Sequence, residues 1–212
     1  MPIRAVISDF GGVLTTPLMN SFLAFQDETG ISAETLGRAM QRIAERDGAH
    51  PLFELEKGSI TEPAFLAQLS EAMEPELGHR PEMHRFKEIY FEALLPNEPM
   101  IELMRELGER GYRMALLTNN VREWEPYWRS MLPVDEIFEL VVDSGFVGLR
   151  KPEPGIYELT LERLGDGIGA SDCLFVDDVE VNIEAARNLG MTAVHFRDSN
   201  QAIAEIESAL RG

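Results

Sequence analysis

The sequence predicts an α/β protein, a doubly wound parallel sheet with a small all-helical cap inserted after the first strand. Short apolar, β-branched runs recur along the chain, and helical patterns that end in glycine separate the later ones. Alternation of strand and helix is typical of a parallel sheet covered on both faces. Between the first and second runs lies a long stretch with amphipathic helical patterns and no convincing strand.

Five short runs are predicted as strands because each is apolar and bounded by turn residues. They are residues 3–8, 112–117, 140–142, 174–176 and 192–196. Apolar residues at helical spacing, such as Ile101, Met104 and Leu107, fill the intervals between the later strands. Glycines close these helices, as a left-handed stop requires; they are Gly111, Gly165 and Gly190.

The stretch from 17 to 95 interrupts this rhythm. Met40 pairs with Ile43 at helical spacing, as Phe65 does with Leu69. Prolines at 96 and 99 flank the return to the strand–helix pattern. We therefore predict an α/β core formed by residues 1–16 and 96–212, and a helical cap formed by residues 17–95.

Composition limits the classes of partner. The 212 residues are 44% hydrophobic and 26% charged, with a net charge of -18 and no basic cluster. Nucleic acid and anionic membranes are therefore poor partners. Cys173 is the only cysteine, which excludes an internal disulfide and suits a small buried hydrophobe. No apolar run approaches a membrane span and no signal-peptide pattern opens the chain, so we expect a cytoplasmic protein.

Polar residues follow four of the predicted strands, directly in three cases and after a loop of eight residues in the case of Lys151. The carboxyl ends of parallel strands share one edge of a sheet, where ligands bind, so these side chains are expected to meet. They are Asp9, the group Thr118, Asn119 and Asn120, then Lys151, and finally Asp177 and Asp178.

This set of groups suits phosphoryl transfer. Paired carboxylates and a backbone carbonyl are the hard oxygen ligands that Mg²⁺ accepts. The metal and Lys151 would neutralise phosphate oxygens, Thr118 would donate to them, and Asp9 would attack phosphorus. Gly11 and Gly12, directly after Asp9, let the main chain approach a ligand closely.

Four segments resemble, in order, the signature motifs of the haloacid dehalogenase-like hydrolase superfamily. They are DFGGVL (9–14), LLTNN (116–120), GLRKPEPGIY (148–157) and FVDDVEVNIEAARNLGM (175–191). The resemblance covers nearly the whole chain and implies a Rossmann-like core with a small cap. ELEKGSITEPAF (54–65) is similar to a cap segment of the branch that includes sugar-1-phosphate phosphatases and the N-terminal phosphatase domain of soluble epoxide hydrolases.

Carried over by motif, the resemblance implies a role for each site residue. Asp9 would be the nucleophile that forms an aspartyl-phosphate, and Lys151 would bridge Asp9 and the phosphate. The phosphate would be held by Thr118 and Asn119. The implied Mg²⁺ ligands are Asp9, the Gly11 carbonyl and Asp178, helped by Asp177. Asn182 would lie behind these ligands.

The sequence departs from the family at Gly11, where its phosphatases usually carry an acid that protonates the leaving oxygen. Such relays contribute about 10² to 10⁴ in rate. We favour a phosphatase of a small phosphorylated metabolite, such as a sugar phosphate, whose leaving group needs little protonation or whose acid comes from the cap or the substrate. The alternative is an impaired phospho-ligand-binding or regulatory protein. A 2-haloacid dehalogenase is disfavoured because Asp177 and Asp178 suit a metal that this reaction does not use.

Several other residues receive structural interpretations. Trp124, Tyr127 and Trp128 are expected to pack a helix onto its neighbours, with lining of a substrate pocket as the second reading. His50 is expected at the surface, although it is also a candidate for the missing acid. His195 ends an apolar strand and is expected to be structural, away from the motif residues.

Overall fold

At the centre of the protein is a five-stranded, all-parallel sheet, seen in a computed structural model that describes residues 2–211. Its strands are β1 (Ala5–Ser8), β2 (Arg113–Thr118), β3 (Leu140–Asp143), β4 (Cys173–Asp177) and β5 (Thr192–His195). Their spatial order is β3-β2-β1-β4-β5, with the first strand in the middle. The predicted α/β fold with a parallel sheet is confirmed. Each predicted strand overlaps an observed strand, and its ends differ from the observed ends by at most two residues.

Twelve α-helices occur within residues 2–211. Five of them follow β1 and come before the helix that leads back into the sheet at β2. Those five are α1 (Met19–Thr29), α2 (Ala33–Asp47), α3 (Pro51–Glu56), α4 (Glu62–Leu77) and α5 (Phe86–Glu92). The others are α6 (Glu98–Glu109), α7 (Glu125–Arg129), α8 (Val134–Ile137), α9 (Ser144–Val147), α10 (Pro154–Leu164), α11 (Glu180–Asn188) and α12 (Ser199–Arg211). None of the helices in this range is both long and apolar enough to cross a bilayer.

The sheet is covered on both faces, and neighbouring residues of β1 show this. Val6 belongs to an apolar cluster with residues of α6 and α12, whereas Ile7 belongs to a second cluster with residues of α10 and α11. Successive strand residues point to opposite faces, so a strand buried on both sides must be apolar throughout. The IRAVIS run is predictable for this reason.

The strand register brings the carboxyl ends of three strands together. Ser8 at the end of β1 pairs with Leu116 of β2 on one side and with Val176 of β4 on the other. All three strands run in the same direction, so the residues that follow Ser8, Leu117 and Val176 meet at one edge of the sheet.

The helices of the 17–95 segment have clear local start and stop signals. Ser32 and Thr61 accept hydrogen bonds from the third residue beyond, the usual N-cap arrangement, and left-handed glycines such as Gly48 end the helices. The apolar residues of this segment join the cluster on the Val6 face of the sheet. Thr15 forms an antiparallel bridge with Pro96, so the chain leaves and returns at neighbouring points. The division into a core and a 17–95 cap is our proposal.

Asp143 at the end of β3 generates a prediction about stability and pH. Its side chain is buried; Oδ1 accepts a hydrogen bond from the Gly145 N–H at 2.9 Å, and Oδ2 has no partner within residues 2–211. Burial raises the pKa of Asp143 from 3.8 to about 6. The folded protein therefore favours the protonated form, which stabilises it fully below pH 3.8 and progressively less as the pH rises through about 6.

Replacing Asp143 by Asn keeps the acceptor for Gly145 and removes the titration. The free energy of unfolding of the native protein, relative to that of Asp143→Asn, is expected to fall by about 2 kcal/mol between pH 4 and pH 7. Urea denaturation at closely spaced pH values measures this difference. Parallel stability curves for the two proteins would contradict the prediction.

Candidate active site

Three carboxylates converge at the carboxyl edge of the sheet. Asp9 directly follows β1, Asp177 is the last residue of β4, and Asp178 comes next. One oxygen from each lies within 4.8 Å of the others. The Asp9 N–H donates to the Val176 carbonyl at 2.8 Å, which extends the pairing of β1 with β4 to the site itself. The predicted convergence of these residues is therefore present in the structure.

Lys151 lies between two of the carboxylates, and its side chain is only 1% exposed. Its Nζ is 2.7 Å from Asp9 Oδ1 and 2.6 Å from Asp177 Oδ2. Burial alone would lower the pKa of Lys151, but Asp177 and Asp9 raise it above its usual value, so the side chain is held as an ammonium ion. Lys151 lies in the loop 148–153, which we call the lysine loop, and is 142 residues away from Asp9 along the chain. This loop supplies the cation that the strand ends lack.

The site holds more acidic groups than basic ones. Three carboxylates face a single ammonium group, and burial raises the pKa of Asp9 to about 8, with Lys151 opposing the shift and Asp177 and Asp178 adding to it. An additional cation would favour the ionised form of Asp9. The electrostatics therefore suit a bound divalent cation.

Asp177 is anchored by hydrogen bonds on both oxygens. Oδ1 accepts from the Val179 N–H at 2.8 Å and from Asn182 Nδ2 at 3.0 Å, while Oδ2 receives the Lys151 ammonium. Tyr157 donates its hydroxyl to the Asn182 carbonyl at 3.1 Å. Asn182 thus lies behind the carboxylates, and Asp177 mainly orients Lys151.

Asp178 occupies space that only glycine at position 12 leaves open. A Cβ on Gly12 would lie 2.2 Å from Asp178 Oδ2, and Gly12 has a φ of 77°, a conformation that side chains rarely adopt. At Gly11, by contrast, the nearest atoms to a Cβ would be the terminal carbons of the flexible Leu18 side chain, at 3.1 and 3.2 Å. The two glycines therefore have different roles: the bare Gly12 admits the Asp178 carboxylate, and Gly11 packs near Leu18.

Thr118 and Asn119 lie at the same edge of the sheet, but within residues 2–211 the Asn119 side chain, and not that of Thr118, is hydrogen-bonded to the main chain of Lys151. Thr118 ends β2 and is buried. The Asn119 side chain is engaged with the main chain of Lys151, accepting from its N–H at 2.8 Å and donating to its carbonyl at 3.0 Å. Asn119 therefore positions the lysine loop. Phosphate binding by Thr118 and Asn119 stays a prediction. Because the Asn119 side chain is engaged, the group that Asn119 would offer to phosphate is its main-chain N–H.

A contact between α3 and the lysine loop was not predicted from the sequence. Arg150 Nε lies 2.7 Å from Glu56 Oε2, and the Arg150 guanidinium stacks over the Phe53 ring at 3.9 Å. Arg150 directly precedes Lys151 in the chain. Its partner Glu56 is 94 residues away, and no local pattern links the two.

The remaining candidates divide between surface, core and cavity. His50 stacks on Phe53 at 4.4 Å, and burial lowers the pKa of its ring. Trp124 and Trp128 are buried and line a cavity of about 190 Å³ that also reaches Gly11. Cys173 is fully buried, as expected. Tyr127 is 40% exposed and stacks on Phe91.

The expectation that His195 lies away from the motif residues is wrong. Its Nε2 is 3.0 Å from the main-chain carbonyl of Asp178, and its Nδ1 is 2.6 Å from Glu180 Oε2. The cause is the register of β5, which pairs His195 with Asp177 of β4. His195 therefore supports the segment that carries the acidic pair.

Residues 3–190 match the haloacid dehalogenase-like hydrolase family, and the chain belongs to it. The match extends over most of the chain, and the relatives include a phosphatase, so the chain is a hydrolase of that family. A phosphatase of Mycobacterium tuberculosis is 31% identical over an alignment of 209 positions, which covers 95% of this chain and 90% of that protein. The rat bifunctional epoxide hydrolase 2 is 26% identical over an alignment of 223 positions, which covers 98% of this chain but only 39% of the rat protein.

The fold is also found in a solved structure of the family. An enzyme of the haloacid dehalogenase family from Bacteroides thetaiotaomicron, crystallised with magnesium and inorganic phosphate, superimposes with a TM-score of 0.63 at 24% identity. The match covers 92% of this chain and 94% of that one. At this identity the likeness concerns the fold.

The glycine pair provides a matched test of the site geometry. Gly12→Ala places a methyl group against the Asp178 carboxylate in a left-handed backbone, and is expected to lower the free energy of unfolding by about 2 kcal/mol or more. Gly11→Ala requires only a small shift of the Leu18 side chain, so its effect is expected to stay below about 1 kcal/mol. Urea denaturation of both variants makes the comparison. Equal losses would show that Asp178 does not depend on the bare glycine.

Proposed function

We propose that this hydrolase is a Mg²⁺-dependent phosphatase that acts on small phosphate monoesters through an aspartyl-phosphate on Asp9. The observation that carries the proposal is the contact of the buried Lys151 ammonium with Asp9, beside the Asp178 carboxylate. A nucleophile, a fixed positive charge and hard oxygen ligands are the parts that phosphoryl transfer requires. The phosphatase named among the relatives supports the same chemistry.

The residues of the site fit a magnesium ion. Asp9 and Asp178 offer hard carboxylate oxygens, and the Gly11 main-chain carbonyl would be a third ligand, while Asp177 holds Lys151 and helps from behind. When bound, the ion would neutralise the charge on the phosphate oxygens and bring the substrate next to the nucleophile.

Hydrolysis takes two steps, and the same side chains serve both. In the first, an Asp9 oxygen attacks phosphorus, the ester P–O bond breaks, and the leaving oxygen keeps the electron pair and takes up a proton. In the second, water attacks phosphorus and loses a proton to solvent, the electron pair of the broken bond returns to the Asp9 carboxylate, and phosphate leaves with the oxygen from water. Lys151 holds Asp9 in position throughout, and Thr118 would donate its hydroxyl to a phosphate oxygen.

The proton for the leaving oxygen is not available from residue 11. The space beside Gly11 is taken up by Leu18, and the Glu56 carboxylate nearby in the cavity is engaged by Arg150. We infer that substrates with weakly basic leaving oxygens react fastest. The same feature favours the second candidate function, a protein that binds phosphorylated ligands and hydrolyses them slowly.

Purified protein assayed against a panel of phosphate monoesters tests the proposal. Turnover is expected with Mg²⁺ and is expected to disappear with EDTA, because the surplus carboxylates then repel the phosphate. Asp9→Asn keeps the shape of the side chain and removes the nucleophile, so kcat is expected to fall by at least about 10³-fold.

Asp27→Asn, an identical change at an exposed position of α1, serves as the control and should leave kcat unchanged. If the native protein turns over no ester faster than Asp9→Asn does, but still binds phosphate esters, the second candidate function is favoured. Turnover that EDTA does not affect would contradict the magnesium assignment.

A restored acid at position 11 gives a separate test. Gly11→Asp needs space that Leu18 occupies, so it is combined with Leu18→Ala, and Leu18→Ala alone is the control. The double variant is expected to raise kcat/KM for alkyl phosphates about tenfold or more, and for aryl phosphates much less, since aryl oxides leave with little protonation. An equal response of both substrate classes would show that proton donation does not limit the reaction.

A further inference from the structure

A largely apolar cavity of about 190 Å³ opens onto the candidate site from the side of helices α1–α5. Where it meets the site, its lining includes Gly11, Thr118 and Asn119. Elsewhere it is walled by leucines, a methionine and aromatic side chains contributed by both the 17–95 segment and the chain after β2. A phosphate bound at the strand ends would therefore direct its organic group into this space.

Eight of the side chains that line the cavity are aromatic, among them Phe10, Phe86, Tyr90, Trp124 and Trp128. Several already contact one another edge to face, such as Phe10 with Trp128 at a centroid distance of 5.2 Å. Aromatic rings prefer such edge-to-face and offset arrangements, so an aryl group in the cavity would find suitable partners on several sides.

Most of the cavity surface is apolar, and two of its polar side chains are engaged by other parts of the chain. Glu56 pairs with Arg150, and the Asn119 amide binds the main chain of Lys151. The hydroxyl groups of a sugar would therefore be buried with few partners, which is unfavourable. The buried indole N–H groups of Trp124 and Trp128 have no acceptor within residues 2–211.

The volume sets the size of the group. An apolar protein cavity of about 150 Å³ holds one benzene molecule, so about 190 Å³ leaves room for a ring with one or two further carbon atoms. Glu56, the carboxyl group in the described lining, is paired with Arg150, and this favours a leaving oxygen of low basicity, which a phenol provides and an aliphatic alcohol does not.

We propose that the substrates are hydrophobic aryl phosphate monoesters, whose ring occupies the aromatic cavity beside Gly11 and Trp124 while the phosphate lies at Asp9 and Lys151. The inference rests on the proposed phosphatase function and names its substrate class. On attack by Asp9 the aryl oxide leaves with the electron pair of the P–O bond and takes its proton from solvent.

A series of para-alkylphenyl phosphates tests the size and apolarity of the site, because the alkyl group changes volume with little effect on the basicity of the phenol. From phenyl to para-methyl and para-ethyl, kcat/KM is expected to rise about three- to fourfold per carbon, and to level off or fall at para-butyl. A flat series, or equal activity on glycerol phosphate and sugar phosphates, would overturn the inference and leave the phosphatase function standing.

A pair of variants ties the effect to this cavity. Leu52 and Leu66 are both partly buried leucines of the 17–95 segment, but only Leu52 lines the cavity. Leu52→Phe is expected to remove the advantage of para-ethyl over phenyl, whereas Leu66→Phe should keep it. An unchanged preference in Leu52→Phe, with the fold intact by circular dichroism, would place the ring elsewhere.

Binding can be followed without turnover, which separates the two proposals. The chain has two tryptophans, Trp124 and Trp128, and both line the cavity, so intrinsic fluorescence reports its occupation. Titration with para-ethylbenzylphosphonate, which lacks a cleavable ester oxygen, is expected to change the emission in the presence of Mg²⁺, and glycerol phosphate is not. A fluorescence response without hydrolysis of any ester would refute the phosphatase function alone; no response would refute the cavity assignment.

Discussion

The site depends on one buried ion-pair arrangement, the Lys151 ammonium between Asp9 and Asp177. Removing charges from water is costly, and a buried carboxylate without a partner would be neutralised. Lys151 offsets part of that cost for two carboxylates at once, at 2.7 and 2.6 Å. The arrangement requires three parts of the chain to meet: the end of β1, the end of β4 and the loop before α10. The parallel register of the sheet brings the first two together, and the Asn119 amide fixes the third.

The apolar core explains how the 17–95 segment is joined to the sheet. One face of the sheet shares a continuous cluster with the helices of that segment, including Phe25, Leu36 and Leu69, whereas the other face packs separately against α10 and α11. The candidate site is at the boundary between a charged strand edge and this apolar cluster. A phosphate and a hydrophobic organic group can therefore be held by one molecule in adjacent but chemically opposite environments.

Much of the fold is readable from local pattern. Strands buried on both faces must be apolar throughout, so runs such as AVIS and LFV identify themselves, and glycine stops and Ser or Thr caps mark the helix ends. The convergence of Asp9, Thr118 and Asp177 also follows from the rule that parallel strands share a carboxyl edge. His195 is the exception, because its contact with Asp178 depends on the pairing of β5 with β4, which the sequence does not specify.

The sequence by itself determined the order of strands and helices, the family motifs and the identity of the charged residues at the strand ends, because each depends on spacing within a short segment. Only the tertiary structure decided which partners these residues have. Asn119 clamps Lys151 across 32 residues and Arg150 binds Glu56 across 94, while Gly12 is required by the position of Asp178. The aromatic cavity is likewise a product of packing between segments distant in the chain. Such contacts arise from shape and charge in three dimensions, and no local pattern encodes them.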